Sequence, residues 1–157
     1  MFDTINGLPI HPLIVHAIVV LLPLSILGVL ALVVRPAWRA RYGILVAACA
    51  AVATLLIPVA TASGDQFEKH VGDPGNHAKL GDQLLWFAIP LLVVAVALVL
   101  VERGITDRLV RPPVAGVVVS AVAVVAAVAA GVQVYRVGES GARAAWGDQM
   151  NQQAQQK

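Results

Sequence analysis

The sequence predicts an all-α fold: an antiparallel bundle of four transmembrane helices with a short loop or helix cap at one end. Three observations predict it. Hydrophobic residues make up 59% of the 157 residues and charged residues only 13%, where soluble chains sit near half and a quarter. The apolar residues fall into four long blocks, each close to the roughly 20 residues that cross a hydrocarbon core as a helix. The blocks are continuous and do not alternate, which excludes a membrane β-barrel. A lipid-exposed backbone must also satisfy its own hydrogen bonds, which a helix does.

The first span is expected at 13–34. It does not read as a signal peptide, which needs a basic stretch before its apolar core. Only Asp3 is charged before it, and Arg35, Arg39 and Arg41 follow it. The second span is expected at 44–62, the third at 84–101 and the fourth at 114–134, and no Asp, Glu, Lys or Arg lies within any of the four. Pro23, Pro58 and Pro90 sit inside spans, where a missing hydrogen bond curves a helix and neighbouring helices tolerate it. Ala126, Ala127, Ala129, Ala130 and Gly131 give the fourth span a small-residue surface for close packing. Residues 1–150 read as one membrane domain. The Gln-rich segment 151–157 reads as a disordered tail.

Orientation follows from the basic residues. Arg35, Arg39 and Arg41 lie in the first loop, and Arg103, Arg108 and Arg111 in the third. Both loops are expected in the cytoplasm. The loop 63–83 sets Lys69 and Lys79 against Asp65, Glu68, Asp73 and Asp82, and is expected outside together with both termini. Trp86 and Trp146 then belong near the outer interface and Trp38 near the inner one.

Several functions are excluded. The formal net charge is +2, and no Lys/Arg run resembles a nucleic-acid patch. The single cysteine, Cys49, rules out an intrachain disulfide and reads as a small apolar residue. There is no phosphate-binding glycine loop. Gly138-Glu139-Ser140-Gly141-Ala142 lacks the final glycine of a nucleophile elbow. A transporter ranks low, because charged residues are missing from mid-span.

The candidate chemistry lies on the outward side. His11, His16, His70 and His77, with Asp65 and Glu139, are gathered there by the topology. Imidazole and carboxylate are the usual ligands of zinc, copper and iron, and two histidines on separate helices can hold a haem b. Solvated loop histidines and helix-terminal ones are commoner than ligands, so His70, His77 and His11 each have an ordinary structural reading. His16 gives the strongest single signal, because Leu13, Ile14, Val15, Ala17 and Ile18 surround it and an ionisable residue there invites a function. It is expected to face the bundle interior and to meet Asp65, His77 or Glu139. His11 and His16 are five residues apart, hence roughly 140° apart on a helix, and cannot grip one ion together. Asp73-Pro74-Gly75 is a turn signal, and Asn76 is expected to cap a helix running from His77 into the third span. His77 then stands too high along the bundle for a simple pair with His16.

Two stretches carry a resemblance. Leu8-Pro9-Ile10-His11-Pro12-Leu13-Ile14-Val15-His16 resembles the opening of an uncharacterised bacterial membrane family, domain of unknown function 2231. Tyr135 to Trp146, with Gly138, Ser140-Gly141-Ala142 and Trp146, resembles the segment after that family's fourth span. The loop from Ser63-Gly64-Asp65 to His77 fits as well. The resemblance covers nearly the whole chain and implies a four-span domain with a histidine-bearing outer face. Relatives of the actinobacterial kind often carry histidine before Ser-Gly-Ala, where this chain has Glu139, a poorer haem ligand. The resemblance brings no settled activity.

The functional expectation is a structural or accessory membrane subunit rather than an enzyme, since no complete catalytic constellation is present. The alternative is a metal- or haem-binding redox protein with its site at the outer face. The expected partners are the lipid bilayer and either another membrane protein or further copies of the chain, with no nucleic acid.

Overall fold

In a computed structural model of the chain, the structure describes residues 4–5, 8–71, 75–105 and 112–155. Two short strands, β1 (Thr4–Ile5) and β2 (Leu8–Pro9), pair antiparallel and lead into α1 (Ile10–Val34). A single 3-10 turn, Pro36–Trp38, connects α1 to α2 (Arg39–Val71). Then come α3 (Asn76–Glu102) and α4 (Pro112–Gln155). All four helices are long and apolar enough to cross a membrane.

The helices form a ring in chain order, with α4 returning to α1. Short connections force sequential helices to lie antiparallel. Accordingly, the start of α1 meets the late part of α2, and the start of α3 meets the late part of α4. The core joins large side chains from α1 and α3 (Leu22, Val29, Leu32; Leu91, Leu98) to alanines from α2 and α4 (Ala53; Ala123, Ala127, Ala130). Pairing a bulky face with a small one lets the helices approach closely, the usual basis of packing in a bilayer. At one point a Cβ on Gly28 of α1 would stand 2.8 Å from Val46 Cγ2 of α2. Leu27, Leu55, Val117 and Val125 face outward and are exposed, as lipid-facing residues must be.

Several sequence expectations change in detail. Hydropathy reports only the apolar part of a helix, so the helices outrun the expected spans. α2 continues through Ser63 to Val71, and α4 continues to Gln155, into the segment expected to be disordered. Gln and Ala are good helix formers and extend a helix that is already nucleated. The expected loop 63–83 is therefore mostly helix among the described residues. Gly75 precedes α3 with φ +60°, a left-handed backbone value that glycine adopts at no steric cost. Asn76 is the first helical residue and not the cap; Gly75 occupies that position, without a side-chain cap bond.

Arg39 differs most from its expected place in a solvated loop. It is buried at 7% exposure. Its Nε donates to Leu32 O of α1 at 2.9 Å, and its Nη2 donates to Ser120 Oγ of α4 at 2.9 Å. The end of the bundle opposite the histidines is thus closed by one arginine bridging three helices.

Candidate functional site

The histidine end is built from two copies of one arrangement. His11 is the second residue of α1. Its Nδ1 lies 3.0 Å from Ala60 O and 3.2 Å from Ser63 Oγ, both on α2. His77 is the second residue of α3. Its Nδ1 lies 3.1 Å from Val137 O and 3.2 Å from Ser140 Oγ, both on α4. The two target segments have the same internal spacing: carbonyl, serine three residues on, glycine four residues on. In each, the serine hydroxyl also donates to the same carbonyl, at 3.0 Å in α2 and 2.9 Å in α4.

The glycines are part of the fit. A Cβ on Gly64 would stand 3.1 Å from His11 Cε1, and a Cβ on Gly141 would stand 3.0 Å from His77 Cε1. Each imidazole therefore lies against the bare backbone of the neighbouring helix, where no larger residue leaves it room.

The partners fix the proton. A carbonyl oxygen only accepts, so Nδ1 must carry the hydrogen in both rings. In the neutral imidazole Nε2 then keeps its lone pair. His11 is in phase with Ile18, Leu22 and Val29, and His77 with Leu80, Leu84 and Leu91, all buried. Both rings thus spring from the core-facing side of their helices.

One turn below His77, Gln133 of α4 is buried at 1% exposure and donates from Nε2 to Leu80 O of α3 at 3.0 Å. Arg136 Nη1 donates to its Oε1 at 3.4 Å. Sequence reasoning passed over Gln133, although it is the one amide inside the fourth span.

His16 reverses its expectation. It is exposed, and its Nδ1 is satisfied by Pro12 O, one turn back on its own helix, at 2.6 Å. It does not face the interior and does not meet Asp65, His77 or Glu139. The i−4 carbonyl removes the cost of an unpaired ring nitrogen, which was the argument for turning it inward. Asp65 is exposed. Glu139 is exposed and pairs with Arg143 of its own helix at 2.6 Å. His70 lies near the end of α2, and its side chain is outside the described residues, as is Asp73 altogether. Among the described residues, no three of His, Cys, Asp and Glu come together as a group that could hold a metal ion. The candidates thus separate: His11 and His77 each clasp a neighbouring helix, while His16, Asp65 and Glu139 are exposed.

Comparison with known families matches residues 7–154 to one described as Predicted membrane protein (DUF2231). No curated protein and no solved structure matches the chain.

Proposed function

We propose, for a chain that belongs to the DUF2231 family of membrane proteins, the role of a structural or accessory membrane subunit whose histidine-bearing face lies outside the cytoplasm. The pair of histidine clasps carries this reading. Both half-buried imidazoles are engaged, at Nδ1, in tying one helix to the next, which is work on the bundle itself. Polar bonds between helices of this kind fix which helices pair and in what register.

The long fourth helix adds support for a partner. Past Ser140 it continues 15 residues to Gln155, roughly 22 Å at the usual rise. Residues 142–146, including Trp146 at 59%, are exposed. An exposed aromatic on a projecting helix suits contact with another membrane protein or a further copy. Arg35 just after α1, Arg41 in the first turn of α2 and Arg103 just after α3 support placing the opposite end in the cytoplasm.

Extraction in mild detergent followed by native mass spectrometry tests the role. The expected result is the 16.4 kDa chain within a larger assembly. Recovery only as a monomer overturns it. A reporter fused after Lys157 and active only in the cytoplasm is expected to stay silent, and activity would reverse the orientation.

A further inference from the structure

We propose that the connection between α1 and α2 carries a headgroup site for an anionic phospholipid, with the guanidinium groups of Arg35 and Arg41 as its phosphate ligands. This goes beyond the subunit role and does not depend on it. It holds whichever side of the membrane this end of the bundle faces.

The observation is a ladder of four residues. Arg35 Cζ lies 5.3 Å from the Trp38 ring centre. Trp38 meets Tyr42 edge to face, with ring centres 6.0 Å apart and planes at 81°. Arg41 Cζ lies 5.4 Å from the Tyr42 ring centre. All four residues are exposed. Aromatic faces attract cations, so two charged groups that would otherwise sweep freely are placed at the ends of one short strip. Among the described residues the ion pair is Arg143 with Glu139, near the histidine end, and no carboxylate pairs with Arg35 or Arg41. Each planar guanidinium fork can give two N–H bonds to one phosphate.

The mounting is rigid. Pro36 opens the turn that carries Trp38. Arg39, from the same stretch, is buried instead, bonded to Leu32 O of α1 and to Ser120 Oγ of α4. It is a positioning residue: it fastens the foot of the ladder to three helices.

Depth selects the ligand. The ladder follows directly on the apolar α1 and opens α2, and indole and phenol rings settle at headgroup level. The anion present at that depth is lipid phosphate, and basic residues beside a span recognise anionic lipids. A phosphatidylcholine headgroup brings its own ammonium and leaves the arginines uncompensated. An anionic headgroup compensates them.

The test uses the full chain in detergent micelles with equal amounts of phosphatidylglycerol and phosphatidylcholine, read by native mass spectrometry. The parent chain should retain phosphatidylglycerol in preference. Arg35→Gln and Arg41→Gln should each lower that preference about fivefold, the effect of one basic residue at an anionic surface. Thermal unfolding without lipid should not change, since both side chains are exposed. Trp38→Leu keeps both charges but removes the ring between them, and should weaken the preference too. Arg103→Gln deletes an exposed charge at the same end, outside the ladder, and should leave the preference unchanged. Equal retention of the two lipids by the parent overturns the proposal, as does an unchanged preference in any ladder variant. A loss in Arg103→Gln as large as in Arg35→Gln overturns it as well, because net charge alone would then explain the preference. Excess inorganic phosphate should not displace the lipid. Displacement would make the ligand a free phosphate and would overturn the lipid assignment.

Discussion

The first hairpin, α1 with α2, and the second, α3 with α4, close in the same way and differ one turn below the closure. In both, a histidine at the second helical position donates to a carbonyl of the next helix, with serine and glycine at +3 and +4 from it. Prolines follow in both first helices, Pro23 at 12 residues after His11 and Pro90 at 13 after His77. Beneath the clasp, the second hairpin has the buried Gln133–Leu80 bond. The corresponding positions of the first hairpin are Leu56 and Ile14, apolar and partly buried. The repeated part is therefore the closure, and the layer below it is free to vary. A contact maintained twice against different surroundings is held by the geometry of the closure itself.

The strongest way to break that likeness is through the glycines. Gly141→Ala should destabilise the bundle by about 2 kcal/mol, in the range for overpacking a tight contact. Gly64→Ala should cost less, because its new Cβ would have slightly more room against His11. Gly131→Ala, with nothing near its Cβ, should be neutral or stabilise by up to about 1 kcal/mol from helix propensity. Thermal unfolding in one detergent ranks the three, and equal losses would show that the glycines do not seat the rings.

Removing the donor is expected to cost somewhat less. His11→Leu and His77→Leu should each lose about 1 to 1.5 kcal/mol, the usual worth of one hydrogen bond. His11→Asn should retain most of that stability. Matching losses for Leu and Asn at either position would mean that packing, and not the Nδ1–H donor, closes the hairpins.

Gln133→Leu sharpens the difference between the halves, since it gives the second hairpin the apolar layer of the first. The expected loss is about 0.6 kcal/mol and at most about 1.7 kcal/mol, as for hydrogen bonds between membrane helices. A gain in unfolding temperature would show that the amide serves something other than stability. The smallest effect belongs to Arg143→Ala, which breaks an exposed pair with Glu139. Such pairs contribute about 0.3 to 0.5 kcal/mol, and a larger loss would place that pair within a contact not formed by the bundle alone.

The sequence by itself determined the four spans, their antiparallel order and the membrane setting. Those follow from the lengths of apolar blocks and from short connections, both of which read directly along the chain. It also put His11 and His77 among the candidate residues and, from the five-residue separation, kept His11 and His16 apart. Tertiary structure alone decided which histidine turns inward. α1 is apolar on nearly every side, so its sequence carries no phase to tell its core face from its lipid face. His16, ringed by apolar residues in sequence, proved to be exposed, with a local carbonyl as partner, and His11 proved to face α2. The serine and glycine that receive each imidazole lie 52 and 53 residues from His11, and 63 and 64 from His77. No local pattern joins residues that far apart. The burial of Arg39 was hidden for the same reason, because its partner Ser120 belongs to another helix 81 residues away. Hydropathy counts what a helix is made of, and only the packing of one helix on another fixes where each polar group can find its bond.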